Sequence, residues 1–438
     1  MCIRDRPTAA RWVDVVGCAP DDLDGFAEEW RHDEGTPSDL EVVVGVGGDG
    51  PMRLDLRRDG PHALVAGTTG SGKSEFLQTW VAALAAHLSP EEITFVLVDY
   101  KGGAAFAECA RLPHTVGMLT DLDPTAAERA LSSLDAELTR REHLLAASGA
   151  PDIDRHHGDP LPRLVIVIDE FRMLAEEQPE ALAHLLRIAA VGRSLGVHLV
   201  LATQRPGGIV SADIRANVNL RIALRVRDRS DSDDVIGCPD AADLPESAAG
   251  RALASTGGGP PRAFQTGRIA GHAADSEGPL LLRRPGRPWP VAPPQHASGP
   301  SDLERLTATL TQLAARLDVP PPHRPWLPPL PDELTDTQLP SGETGAGAPF
   351  ALMDLPTEQR QVAAEWSPAT GHWMVVGAPG SGRTTALAAV VHAAARRWSP
   401  DRLQVQVIGD GSATTTTLSG LDHVGSVVDG EDTTVVGR

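Results

Sequence analysis

The stretch "GTTGSGKS", from Gly67 to Ser74, sets glycines, one lysine and one hydroxyl at spacings that suit a single task. A GxxxxGK[ST] loop between a strand and a helix curls so that several backbone N–H groups converge on phosphate oxygens. The helix N-terminus behind it adds a favourable dipole. Gly67, Thr68, Thr69, Gly70, Ser71 and Gly72 are expected to form the curl. Lys73 is expected to reach the β and γ phosphates of ATP, and Ser74 to offer its hydroxyl to Mg2+. The chain holds only two lysines, Lys73 and Lys101, and otherwise uses arginine as its long cation. A planar guanidinium fits so tight a cradle poorly, which explains why an ammonium is kept at this position. "GAPGSGRT" repeats the pattern through Gly377, Gly380, Gly382, Arg383 and Thr384. With arginine in the lysine's place, it reads as a second cradle in which efficient hydrolysis is not expected.

The partner chemistry comes from "LVIVIDE", whose Asp169 follows Lys73 by 96 residues. At the tip of an apolar strand, Asp169 is placed to hold Mg2+ and Glu170 to orient and deprotonate an attacking water. Gln204, in "ATQRP" after another apolar strand, is placed to sense the γ-phosphate. Arg193, in "VGRSLGVH", is expected at a helix end where a neighbouring subunit's nucleotide could lie, with Arg221 as a second candidate. A helix C-terminal arginine serving the dipole is the competing reading of Arg193. For Asp99 and Lys101 in "VDYKGG", a salt bridge and a coupling role both stand. "RHHG" (155–158) reads as a surface loop, because no carboxylate joins the histidines at ligand spacing.

These groups must be positioned by alternating strands and helices. "HALVAG", "ITFVLVDY", "RLVIVIDEF", "HLVLATQ" and "LRIALRV" are near-continuous apolar runs separated by helical segments such as 125–149 and 179–196. That pattern predicts an α/β domain with a parallel-rich sheet covered by helices. It occupies 41–271, after an N-terminal lead-in (1–40) without a clear core pattern. A Pro-rich linker with one short helix (272–348) follows. At 349–438 the sequence begins again: Gly377 lies 310 residues after Gly67, and "LQVQVIGD" lies 310 after "ITFVLVDY". A constant shift over separate elements indicates a partial second copy of the domain. It reads as truncated, and the chain as a fragment.

The formal net charge of −20 argues against a surface that wraps nucleic acid. The four scattered cysteines show no ligand spacing, and no apolar run reaches the roughly 18 residues of a membrane span.

"GTTGSGKSEFLQT", "VLVDYKGGAAF", "LPHTVGMLTDLD", "VIDEF", "GRSLGVHLVLATQRP" and "ANVNLRIALRV" together resemble the FtsK/SpoIIIE ATPases, over roughly residues 41–270. Tandem domains with a degraded later loop look like the EccC-type motors of type VII secretion. The resemblance implies a RecA-like P-loop NTPase fold, Mg-dependent ATP hydrolysis coupled to translocation, and self-association into a hexamer-like ring or stack. It implies Lys73, Ser74, Asp169 and Glu170 as nucleotide and catalytic residues, with Arg193 acting in trans. Implied partners are secreted proteins or their signal peptides, with a membrane reached only through segments or partners outside this chain, and a cytoplasmic location. A DNA translocase of the same fold is the alternative, and a nucleotide-gated scaffold without turnover is the second. The arginine of "DEFRML" departs from the small or acidic residues usual there.

Overall fold

The computed structural model describes residues 9–31, 39–100, 102–103, 105–120, 124–177, 179–208, 217–272, 299–342, 345–409 and 417–429. It divides into two compact units, Met1–Pro325 and Trp326–Arg438.

In the first unit the strands are β1 (Ala10–Arg11), β2 (Glu41–Gly47), β3 (Pro51–Asp55), β4 (Ala63–Ala66), β5 (Ile93–Asp99), β6 (Thr115–Leu119), β7 (Arg163–Asp169), β8 (Val197–Thr203), β9 (Leu220–Leu224), β10 (Arg251–Ser255) and β11 (Arg262–Arg268). They form one sheet in the order β3-β2-β11-β10-β9-β4-β8-β7-β5-β6, with β1 added in parallel to β11. From β9 to β6 every pairing is parallel. Every residue of β4, β5, β7 and β8 is buried, as a sheet covered on both faces requires. The half built from β3, β2, β11 and β10 is antiparallel.

The helices are α1 (Trp12–Val16), α2 (Leu23–Glu29), α3 (Lys73–His87), α4 (Pro124–Ser148), α5 (Phe171–Glu177), α6 (Pro179–Leu195), α7 (Arg229–Ile236) and α8 (Asp302–Arg316). Helix α3 is buried along most of its length. Thr79 Oγ1, on its inner face, shares its one proton between Glu75 O of its own helix (2.9 Å) and Gly267 O of β11 (2.8 Å).

Two expectations are corrected here. The lead-in does carry core residues: Trp12, Phe26, Ala27 and Trp30 are buried with the first unit's main cluster. Trp12 and Trp30 satisfy their indole N–H groups on Val43 O (2.8 Å) and Ala85 O (3.1 Å). The short helix assigned to the linker is likewise part of that core. Leu303, Leu306, Leu310 and Leu313 line one face of α8 and are fully buried. Ser301 and Glu304 close its N-terminus as a capping box. Arg11 grips the buried Asp302 with two 2.6 Å hydrogen bonds, a fork geometry that suits a carboxylate. The helix is held by burial, so the prolines around it do not set its role.

The second unit contains β12 (Ala348–Leu355), β13 (Arg360–Trp366), β14 (Val405–Gly409), β15 (Val424–Asp429) and α9 (Arg383–Arg397). The duplication is visible in its hydrogen bonds. His114 Nε2 bonds Leu88 O (2.7 Å), and His423 Nε2 bonds Trp398 O (2.6 Å). β14 pairs with β15 in parallel as β5 does with β6, each with a register shift after its first pair. Among the described residues, 373–376, which correspond to β4, pair with no strand, and Met374 and Val376 are exposed.

Candidate functional site

The cradle forms where β4 ends and α3 begins. Gly70 and Gly72 take φ of 78° and 94°, the left-handed region that favours glycine. A Cβ on Gly67 would lie 2.5 Å from Ser71 Oγ, so the curl excludes a side chain there. The loop is anchored to both neighbouring strands: Gly67 N donates to Thr203 O (3.1 Å) and Thr68 N to Arg225 O (2.9 Å). Lys73 opens α3 with Ser74 beside it.

β7 brings the acids to the same place. It lies two strands from β4, across β8, and its C-terminal end faces the loop. Lys73 Nζ donates to Asp169 Oδ1 and to Glu170 Oε1 (3.2 Å), and Ser74 Oγ donates to Asp169 Oδ2 (3.1 Å). Lys73, Asp169 and Glu170 are all about 5% exposed or less. A hydroxyl and a carboxylate oxygen side by side are the hard donors that Mg2+ takes. Glu170 has φ of 60°, which is rare outside glycine and typical of residues held by function.

Gln204 closes the ring. Thr69 Oγ1 donates to its Oε1 (2.8 Å), and its own N–H donates to Glu170 Oε2 (3.3 Å). Arg172, the residue that departs from the usual pattern, pairs with Glu176 (2.7 Å) and reaches the carbonyls of Arg205 (3.4 Å) and Gly207 (3.3 Å). It ties the helix behind the acids to the loop behind Gln204. Asp99 ends β5 in register with Asp169 and accepts from Ala105 N (3.0 Å). Its neighbour Tyr100 is kept a neutral phenol, burial and then the charge of Glu177 pushing its pKa up to about 12. Lys101 lies outside the described residues.

Arg193 is not part of this ring. It ends α6, just before β8 starts, whereas the cradle sits at the other end of that seven-residue strand, about 20 Å away. It is exposed, beside a cleft that Arg57, Arg58 and Arg163 line together with Asp39, Asp55 and Asp154. Arg221, in register with Leu64, is also removed from the cradle, and its Nε bonds Val218 O (3.0 Å). Among the described residues no group of three or more His, Cys, Asp or Glu could hold a metal. Arg155, His157 and Gly158 of "RHHG" are exposed.

The second cradle keeps the same curl. Gly380 and Gly382 have φ of 80° and 85°, and a Cβ on Gly377 would lie 2.4 Å from Ser381 Oγ. Ser381 N donates to Ala378 O (3.1 Å) as Ser71 N does to Thr68 O (3.0 Å). Arg383 and Thr384 begin α9 and are exposed. Sequence patterns gave no hint of Gly250, in the turn before β10, whose N–H donates to Ser71 O (2.7 Å).

The sequence profile of the FtsK/SpoIIIE family matches residues 27–160 and 341–436, more than half of the chain. The chain belongs to the FtsK/SpoIIIE family. It is 34% identical, over 94% of its length, to the type VII secretion system protein EssC of Staphylococcus aureus (strain NCTC 8325 / PS 47), and covers 30% of that protein. To the ESX secretion system protein YukB of Bacillus subtilis (strain 168) it is 31% identical, over 91% of this chain and 28% of that one. The chain thus spans about a third of the length of these relatives. The cytoplasmic domain of the Thermomonospora curvata type VII secretion ATPase EccC superposes with a TM-score of 0.82 at 30% identity. That match covers 98% of this chain and 50% of the other. The resemblance to tandem secretion ATPases agrees with these matches.

Proposed function

We propose that the first unit binds and hydrolyses Mg-ATP as a motor domain for protein export of the type VII kind. The observation that carries the reading is Lys73 held between Asp169 and Glu170 with Ser74 alongside. Magnesium would supply charge neutralisation between the β and γ phosphates, with Ser74 and Asp169 holding it. Lys73, released from the two carboxylates, meets the phosphates. Glu170, with its backbone at a φ of 60° and its carboxylate held by the Gln204 N–H, then faces the γ end and accepts a proton from the attacking water. Gln204, bonded to both Thr69 and Glu170, carries the presence or loss of the γ-phosphate to the loop that Arg172 grips.

In the second unit the curl around Arg383 supports nucleotide binding without turnover. Arg193, exposed at the opposite end of the strands from the cradle, suits a neighbour's site in a ring or stack. Secreted proteins or their signal peptides are the proposed cargo, in keeping with the EssC and EccC relatives and with a net charge of −20. Among the described residues no helix is long and apolar enough to cross a membrane. The motor is proposed to work at the cytoplasmic face through other segments or partners.

Phosphate release by the wild type and Glu170→Gln, with and without duplex DNA at moderate salt, tests the reading. Glu170→Gln should keep Mg-ATP binding and lose about 10²- to 10⁴-fold in turnover. Strong stimulation by DNA would reject protein cargo in favour of a DNA translocase. An unchanged rate in Glu170→Gln would favour a nucleotide-gated scaffold.

A further inference from the structure

We infer that Gly250 is a positioning residue for the phosphate cradle: its amide holds the Ser71–Gly72 peptide so that the Gly72 N–H faces the nucleotide. The inference rests on the nucleotide-binding reading of that cradle. In a trans peptide the C=O and the following N–H point in opposite directions. Gly250 N donates to Ser71 O at 2.7 Å, which pins that carbonyl outward and turns the Gly72 N–H inward.

The approach is too close for side chains. A Cβ on Gly72 would lie 2.8 Å from Gly250 N and 3.0 Å from its Cα. A Cβ on Gly250 would lie 2.3 Å from Thr266 Oγ1 and 2.8 Å from Gln265 Nε2. Gly250 also has φ of 80°.

The turn is itself held firmly. The buried Gln265 donates Nε2 to Ala249 O (2.7 Å) and accepts from Arg251 Nε (3.1 Å), while Thr266 N donates to Gly250 O (2.8 Å). The same strand, β11, receives Thr79 of α3 at Gly267 O. One strand therefore braces both the back of the loop and the helix that Lys73 opens.

Calorimetric titration of the full chain with Mg-ADP, which is not turned over, tests this. Gly250→Ala should weaken binding about tenfold to a hundredfold, the range expected for a misaligned amide–phosphate bond. Gly257→Ala is the control for backbone strain alone: it has φ of 82°, and nothing lies within 4 Å of its Cβ. It should bind within about twofold of wild type. Gly250→Ala combined with Thr266→Ala, which removes the hydroxyl the new methyl meets, should recover part of the affinity. Melting midpoints measured without nucleotide separate the roles, because a merely structural brace lowers the midpoint and leaves the folded protein's affinity unchanged. Equal affinities in wild type and Gly250→Ala overturn the inference and leave nucleotide binding standing. A wild type that binds nothing removes the parent reading and this one together. Should Gly250→Ala fail to fold, Gln265→Leu loosens the same turn through Ala249, and unchanged affinity there overturns the inference equally.

Discussion

Replacing Lys73 with alanine should destabilise the nucleotide-free protein as well as abolish tight Mg-ATP binding. Its side chain is 3% exposed, between carboxylates that are 4% and 7% exposed. Removing one member of so buried an ionic group leaves the others uncompensated, at a cost of about 3–5 kcal/mol. For a unit of this size, roughly 2 °C of melting midpoint corresponds to each kcal/mol, so a drop of about 6–10 °C is expected. The assay is calorimetric unfolding of the full chain without nucleotide, following the transition that Mg-ATP raises in the wild type. Adding Asp169→Asn to Lys73→Ala should return part of the loss, because it removes one of the stranded charges. A Lys73→Ala midpoint within about 1 °C of wild type, or a double variant no more stable than the single, would refute the reasoning. Either result would mean that water, and not Lys73, compensates the acids.

Two other expectations can be checked. Arg193→Ala should leave Mg-ATP affinity unchanged and lower turnover by about 10³- to 10⁵-fold, the worth of an arginine supplied in trans, and only at concentrations where the chain self-associates. An equal loss in dilute monomer contradicts action on a neighbour. Acid should destabilise the first unit well above carboxylate pH. Burial lowers the pKa of His62 and His114 to about 4 and that of His198 to about 3, from 6.5 when unfolded. The unfolded chain thus binds more protons below pH 6.5. The stabilisation is complete above that pH and is lost toward pH 4, at up to about 1.4 kcal/mol per pH unit for each histidine. A urea midpoint unchanged between pH 7.5 and 5 would contradict it.

That Lys73, Ser74, Asp169 and Glu170 would meet was legible because each sits in a local pattern. The glycine spacing before Lys73 and the apolar run ending at Asp169 are short-range patterns, and the parallel half of the sheet follows from runs such as β7 and β8. The antiparallel half was not legible: β10 and β11 carry buried polar residues such as Arg251 and Gln265, whose partners are known only once the strands meet. The anchors of the lead-in, Trp12, Phe26 and Trp30, are too widely spaced to make a period. The leucines of α8 do make one, and the helix is read from it, but the flanking prolines assigned it to a linker and not to the core. The placement of Arg193 depends on strand direction, which a motif does not carry. Gly250 acts through a tertiary contact and leaves no pattern at all.

The bend around Arg383 forms although residues 373–376, which lead into it, lie in no strand among the described residues. Its shape is therefore written into a handful of neighbouring residues. On the proposed reading, a curl that holds its shape locally can grip a nucleotide in the second unit while turnover is confined to the first.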